Sequence, residues 1–530
     1  MANHLVAKYG GKGAGDLFAA MPPFEMVKAL MVRTVQRRHR IKTVRKVMFI
    51  DVSKAHLYAL VGEEIHAYVD LPPECSKPGV CGKLVYWLYG MRPASNGWQQ
   101  EYTRRLESLG FKAGEGSPCC FYREKDDVAC VVHGDDFTFE DPPGSLKQIA
   151  EAMKQFWLIK VRATLGPEPS DDKEVSILNR VVRWTEDCLL YEADPRHVEK
   201  LLRDMGMEEC KTLTVPGIKA ATGSVALELP EELQEEIAYI ESKMEQPLPK
   251  DLRKLLGSVN RSGKKQAEIE SADYAKAEEQ HDFGKMATPG GDKLMDRDAI
   301  RDYRSATARC NYLAADRPEI AFATKELCRA MPAPTEADVL AVKRMCKFLK
   351  GMPRLVQRIP FSEDPPSVVH TYVDSDWAGC RRTRKSTSGG VIYFGGSMVR
   401  GWSTTQAVIA LSSGEAEYYA ALKGASTSLG FQSMLRDLGM EASIQLHTDS
   451  SAALGIINRA GLGKLRHLEV GYLWLQAAVK AKKLRVRKVL GTENPADLLT
   501  KHLSAADMHK HLTHMGFAPE TGRSTAVPQV

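Results

Sequence analysis

Val368-Val369-His370-Thr371-Tyr372-Val373-Asp374 is a strand-forming run that ends on an acid, and its reading decides the architecture of the chain. β-Branched and aromatic residues suit a buried pleated surface. A carboxylate closing such a run is costly unless it is paired, hydrogen-bonded or bound to a cation. The pattern recurs: Asp51 follows Val47-Met48-Phe49-Ile50, Asp135 and Asp136 close Ala129-Cys130-Val131-Val132-His133-Gly134, and Asp449 follows Ile444-Gln445-Leu446-His447-Thr448. Such acids in both halves of the chain point to two divalent-metal sites. Hard cations such as Mg²⁺ or Mn²⁺ bind carboxylate oxygens, and paired ions about 3.5–4 Å apart serve phosphodiester chemistry.

At 530 residues the chain is too long for one core, and about three domains are expected. Its 43% hydrophobic and 26% charged residues are ordinary for a soluble globular protein. The net charge of +6 is mild but unevenly spread. Residues 33–46 carry basic side chains and no acid, Lys480-Ala481-Lys482-Lys483-Leu484-Arg485-Val486-Arg487-Lys488 is a second run, and Arg381-Arg382-Thr383-Arg384-Lys385 a third. Any one run reads as a solvated face; three near candidate metal sites favour a polyphosphate partner. The 11 cysteines form no CxxC pair, which suits a reducing compartment. His502, His509, His511 and His514 fit a polar C-terminal helix better than a zinc site. With no signal peptide and no apolar run approaching ~18 residues, the expectation is a soluble, intracellular protein.

Periodicity divides the chain further. Residues 1–46 are basic, with a helix from Pro23 through Arg40. Residues 47–217 alternate strands (47–52, 66–70, 128–133, 136–140) with helices at Asn96–Leu109, Ser145–Phe156 and Pro195–Met205. Residues 218–299 read as a charged insertion or linker. Residues 300–365 form a helical connection with an apolar stripe at Val339, Val342, Met345, Cys346 and Leu349. An α/β unit follows at 366–503, with strands at 368–373, 390–403, 443–447 and 484–489. Its helices fall at 414–430, 450–458, 466–481 and from Pro495, and residues 504–530 are a tail.

In the first half, Gly134-Asp135-Asp136 between two apolar runs is a hairpin signal. It would present its acids beside Asp51, where three carboxylates could hold two Mg²⁺ ions. Between them, Leu88-Tyr89-Gly90-Met91-Arg92-Pro93-Ala94-Ser95-Asn96-Gly97-Trp98 resembles the Leu-Tyr-Gly-Leu-Lys-Gln-Ala-Pro-Arg-Ala-Trp pattern of copia-type LTR retrotransposon reverse transcriptases. Asp51-Val52-Ser53-Lys54-Ala55-His56-Leu57 is similar to that family's Asp-Val-Lys-Thr-Ala-Phe-Leu, and His133-Gly134-Asp135-Asp136 stands for Tyr-Val-Asp-Asp. The resemblance implies that Asp51, Asp135 and Asp136 are the catalytic metal ligands of a polymerase, with His56 and Arg92 on the side of the incoming nucleotide. His56 replaces an aromatic residue of the family, Pro93 replaces a Gln, and 50 residues precede Asp51 where the family has about a hundred. Polymerisation is therefore expected to be weak or absent.

The second half carries Tyr372-Val373-Asp374-Ser375-Asp376-Trp377, then Ser412-Ser413-Gly414-Glu415-Ala416-Glu417-Tyr418, Leu446-His447-Thr448-Asp449-Ser450 and Asn494-Pro495-Ala496-Asp497. Strand-end, helix and helix-start acids can converge on one edge of a mixed sheet, and four carboxylates suit a two-metal hydrolase. These segments resemble, in order, the ribonuclease H of copia-type elements. The resemblance gives Asp374, Glu417, Asp449 and Asp497 as catalytic metal ligands. It favours Glu417 over Glu415 because Glu-Tyr-x-Ala matches the family's Glu-Leu-x-Ala, and leaves Asp376 as a neighbour of Asp374.

The resemblance thus implies a fragment of a copia-type Pol polyprotein. Its fold would be an α+β palm-type polymerase domain with truncated fingers, then an α/β ribonuclease H-like domain with a mixed five-stranded sheet. Its partners would be an RNA template, a DNA primer, RNA–DNA hybrid and dNTPs, with no membrane. Its place would be the cytoplasm, virus-like particles or the nucleus. The alternative is a decayed or host-retained copy that keeps hybrid cleavage or nucleic-acid binding alone. A purely structural protein would leave the strand-end acids unexplained.

Overall fold

The computed structural model describes residues 19–36, 45–62, 65–141, 143–218, 296–362, 366–380, 383–463 and 465–522. Residues 219–295 of the expected insertion and 37–44 of the first basic run lie outside them. Among the described residues no helix is long and apolar enough to cross a membrane.

Helix α1 (Phe24–Gln36) leads into β1 (Lys46–Val52), and β2 (Tyr68–Val69) and β3 (Gly82–Lys83) make a two-stranded ribbon. Helix α2 (Ala94–Ser108), β4 (Lys112–Ala113), β5 (Cys120–Arg123), β6 (Val128–His133), β7 (Asp136–Asp141), α3 (Pro143–Lys154) and β8 (Ile159–Leu165) follow. They form an antiparallel sheet in the order β4-β5-β6-β7-β1-β8. Met48, Ile50 and Val52 of β1 pack with Trp98, Tyr102, Leu106, Ile149 and Met153 of α2 and α3. Val47 and Phe49 pack on the other face with α1. Both faces are covered, which is why β1 reads as a continuous apolar run.

A second sheet joins distant parts of the chain. Strands β9 (Glu174–Ile177), β10 (Arg180–Trp184) and β11 (Cys188–Ala193) precede helices α4 (Arg196–Asp204), α5 (Arg297–Leu313), α6 (Pro318–Ala330) and α7 (Glu336–Gly351). Then β12 (Arg354–Pro360) pairs with β11. The third sheet holds β13 (Val368–Asp376), β14 (Thr387–Phe394), β15 (Ser397–Thr405), β16 (Ser443–Thr448) and β17 (Arg485–Lys488). Its order is β15-β14-β13-β16-β17, antiparallel through β13 and parallel beyond it, a mixed five-stranded sheet. Helices α8 (Ser413–Arg436), α9 (Ser451–Asn458), α10 (Trp474–Lys480) and α11 (Ala505–His514) flank it, and β18 (Phe517–Glu520) returns to pair with β12.

Four expectations change. The helix expected over 466–481 is a short 3-10 turn, Val470–Leu473, followed by α10; Gly471 falls where a helix would be weakened by about 1 kcal/mol. The expected tail is structural: Ser504 caps α11, Met508 and Leu512 are buried, and β18 completes the second sheet. The connection does not end as a separate unit, because β12 belongs to a sheet begun at Glu174. The first basic run does not face nucleic acid as a whole, since Arg33 and Arg45 are 0% and 1% exposed.

Arg33 sits on α1, a helix buried nearly all round that nonetheless carries Glu25, Lys28, Arg33 and Thr34. Its guanidinium donates to the Leu438 carbonyl at 3.1 Å and pairs with Asp127 and Glu140, and Arg45 pairs with the same two acids. One turn earlier, Lys28 meets Asp316 at 3.1 Å, and Asp316 also takes Arg180 at 2.8 Å. Burial alone would raise the Asp316 pKa, but the two cations hold it below the usual carboxylate value. Asp316→Ala would leave two buried cations without their acid, which should cost about 3–5 kcal/mol of stability. Urea unfolding of the whole chain measures this, and a loss under about 1 kcal/mol would show that Lys28 and Arg180 find other partners.

Candidate active site

Asp374 lies near the C-terminal end of β13, opposite Gly389 of β14. A Cβ on Gly389 would fall 2.6 Å from Thr500 Cγ2 and 3.0 Å from the Ala496 carbonyl, so only glycine lets the 3-10 turn Pro495–Leu499 close over the strand. Asn494 caps that turn by accepting from the Ala496 N–H and donates to the Val373 carbonyl at 2.9 Å, next to Asp374. Across the strand, Gly424 lets α8 lie on β13, since a Cβ there would meet Val373 at 2.4 Å. That packing sets Glu417, in the second turn of α8, beside Asp374.

One ligand atom each from Asp374, Glu417 and Asp449 lies within 4.8 Å of the others, the one such carboxylate, histidine or cysteine set of three or more among the described residues. Asp374 is 4% exposed and accepts from the Thr500 hydroxyl. Glu417 Oε1 accepts from the Ser375 N–H at 3.2 Å, while Oε2 is buried without a partner. Asp497 flanks the group: Oδ2 meets Lys501 at 2.9 Å and Oδ1 is buried without a partner. Burial pushes Asp374 up to about 7, with Asp497 and Asp449 adding to it, and pushes Glu417 up to about 8, with Asp374 and Asp449 adding. Burial also raises Asp449. Burial opposes the Lys501 charge, yet Asp374, Asp497 and Asp449 outweigh it and raise its pKa.

An all-oxygen donor set with orphaned buried carboxylate oxygens fits a hard divalent cation. Glu415 is turned elsewhere: it accepts from the Leu411 N–H at 2.9 Å and meets His467 at 3.0 Å. Asp376 accepts from the Thr387 N–H. The sequence reading missed Lys501, Thr500 and Asn494. An i,i+4 Asp–Lys pair was the available signal for Lys501; nothing local marked the other two.

The first acid set is arranged differently. The β6–β7 hairpin turns at Gly134, whose φ of 66° suits glycine, and Trp98 donates to the Gly134 carbonyl at 2.8 Å. Asp51 and Asp136 are register partners on β1 and β7, and Asp135 is exposed at the tip. The three do not form a set within 4.8 Å. Instead Arg162 of β8 lies across Asp51 at 2.5 Å and Asp136 at 3.5 Å. Burial raises Asp136 to about 6, against the opposing charge of Arg162. His56 stacks on Tyr89 with ring centroids 4.4 Å apart, and Arg92 is exposed before α2.

No family model matches the chain. It is 23% identical over 476 residues to the retrovirus-related Pol polyprotein from transposon RE1 of Arabidopsis thaliana, covering 88% of this chain and 27% of that protein. It is 24% identical over 465 residues to the corresponding polyprotein from transposon TNT 1-94 of Nicotiana tabacum, covering 85% and 29%. A third, from transposon RE2 of Arabidopsis thaliana, is 30% identical over 223 residues, covering 42% and 15%. The chain thus spans less than a third of the length of these relatives. Its homologues are the retrovirus-related Pol polyproteins of plant copia-type transposons. TM-scores against solved structures are low. The N-terminal RNase H domain of rv2228c from Mycobacterium tuberculosis gives a TM-score of 0.18 at 16% identity, covering 28% of this chain and 97% of that one. A foamy viral protease-reverse transcriptase in complex with dsDNA gives 0.20 at 8%, covering 86% and 69%.

The raised acids predict a pH dependence of stability. A carboxyl whose pKa is higher folded than unfolded binds more protons in the folded state. Its contribution is therefore lost as pH rises from the unfolded value, about 4, through the folded one. Glu417→Gln mimics the protonated acid, so in EDTA it should stabilise the chain at pH 9, by roughly 2 kcal/mol, and change little at pH 4. Thermal melts at the two pH values test this; equal effects at both would mean that Glu417 is not held protonated.

Proposed function

We propose that this relative of plant transposon Pol polyproteins is a reverse transcriptase–ribonuclease H fragment whose second acid set cleaves the RNA strand of RNA–DNA hybrids. The observation that carries the reading is the convergence of Asp374, Glu417 and Asp449 within 4.8 Å beside Asp497, with two buried carboxylate oxygens unpartnered. The four acids would hold Mg²⁺ or Mn²⁺, which when bound lowers the pKa of an attacking water and supports the charge of the leaving oxygen. Asp374 and Glu417, which burial disposes to hold protons, would bind such a cation as carboxylates. Thr500 and Ser375 orient their oxygens, and Lys501 holds Asp497 toward the set. Lys480, Lys482, Lys483, Arg485 and Arg487, exposed on and before β17, would take the phosphates of the hybrid. The first acid set, Asp51, Asp135 and Asp136, would belong to RNA-directed DNA synthesis from dNTPs on a primed RNA template.

A second reading, a host-retained or decayed copy that cleaves hybrids without polymerising, is favoured by Arg162 over Asp51 and Asp136.

Asp449→Asn removes cation-binding charge at nearly constant volume and should abolish cleavage of a labelled RNA–DNA hybrid in Mg²⁺ while circular dichroism stays unchanged. Undiminished cleavage would sink the assignment. Replacing Lys480, Lys482 and Lys483 with Gln should flatten the salt dependence of hybrid binding by up to about 3 in log–log slope. An unchanged slope would make these lysines a solvated face only.

A further inference from the structure

We infer that Arg162 is a built-in cation that closes the first acid set against divalent metal, so that the resting chain takes up metal at the second set alone. The two sets differ in one respect that electrostatics makes decisive. Asp51 and Asp136 face each other across β1 and β7, and the neighbouring strand β8 delivers a guanidinium onto both, 2.5 Å from Asp51 Oδ1 and 3.5 Å from Asp136 Oδ1. The register partner of Asp51 on β8 is Lys160, so a second cation lies at the same level of the sheet. In the second set Lys501 pairs with the flanking Asp497 and acts on Asp374 only at longer range, and among the described residues no ion pair engages Asp374, Glu417 or Asp449. Glu417 Oε2 is buried with no hydrogen-bond partner and no cation beside it, whereas Asp136 Oδ1, also without a hydrogen-bond partner, lies 3.5 Å from the Arg162 guanidinium.

A guanidinium is planar, permanently charged and weakly hydrated, and it satisfies carboxylates through fixed N–H donors. Metal entering beside Asp51 must displace it and bring two carboxylates back to full charge at a half-buried position. The side chains of Asp51, Asp136 and Arg162 are 22%, 12% and 37% exposed, so the pair is shielded in part from solvent and salt. A pair of carboxylates whose charge is already halved by a guanidinium attracts a further cation less strongly.

The inference uses the reading of the first set as polymerase acids only for its consequence. The test reads metal at those acids, independently of hybrid cleavage. Mn²⁺ is titrated into the full-length chain and free Mn²⁺ is counted by electron paramagnetic resonance. To isolate the first set, Asp449→Asn is the common background. There Arg162→Gln should tighten Mn²⁺ binding by roughly tenfold, and adding Asp51→Asn should abolish the gain. Arg162→Gln also changes a strand residue, so Asp51→Asn alone supplies a second arm: its isotherm should superimpose on that of the background chain, because the locked site contributes nothing to lose. A background chain that already binds Mn²⁺ as tightly as its Arg162→Gln derivative, or that loses a site on Asp51→Asn, overturns the proposal. Failure of the nuclease reading would appear elsewhere, as hybrid cleavage that survives Asp449→Asn.

Discussion

A buried charge must meet an opposite one, and on α1 that requirement gathers three sheets. Lys28 and Arg33 lie on a helix whose Met26, Leu30, Val32 and Val35 are also fully buried. Asp316 reaches Lys28 from the start of α6 and links it to Arg180 of β10. Glu140 of β7 and Asp127 before β6 reach Arg33, and the Leu438 carbonyl beyond α8 accepts from it. At the helix start, Glu25 pairs with Arg400 of β15. Such pairs add little net stability over an apolar core, but a misplaced partner is strongly penalised. Their contribution is therefore to orientation: the first, second and third sheets can close around α1 in one arrangement only.

The same rule in reverse marks the candidate site. Along α1 each buried cation has its acid. At the end of β13 two buried carboxylate oxygens, on Glu417 and Asp497, do not have a cation, and Asp374 and Glu417 respond by holding protons to neutral pH. A cluster that folds with its charge suppressed is one that a dication would re-ionise. At the first acid set burial also raises Asp136, but an arginine pairs with Asp51 and Asp136 and opposes that shift.

Strand-end acids were legible in the sequence because their signal is local: a run of Val, Ile and aromatic residues cannot absorb a carboxylate without a reason, and Gly134-Asp135 marks its own turn. Helices α2, α3, α8 and α9 were legible through periodicity. What stayed hidden depends on partners remote in the chain. Arg33 and Arg45 looked like a phosphate-binding run because their neighbours are basic; Glu140, which buries them, lies about a hundred positions on. Arg162 sits in a strand whose alternation says nothing of which acids face it across β1. Residues 504–530 looked like a polar tail because four residues, Phe517–Glu520, are too few to announce a strand, and their pairing partner β12 begins at Arg354. Lys501 was within reach, since its spacing from Asp497 is the one that brings side chains together on a helical turn.

That last strand has a consequence for how the molecule can be divided. The boundaries that motifs suggest, one near residue 217 and one near 366, pass through the second sheet, whose β9, β10 and β11 lie before the first cut, β12 between the cuts, and β18 at the far end. Separating residues beyond 366 from the rest would expose the backbone donors and acceptors along β12 on one piece and strand β18 on the other. Unpaired strand edges recruit foreign strands. The two acid sets of this chain are thus not beads on a string: their surroundings share a seam, and a cut between them would yield fragments prone to aggregate.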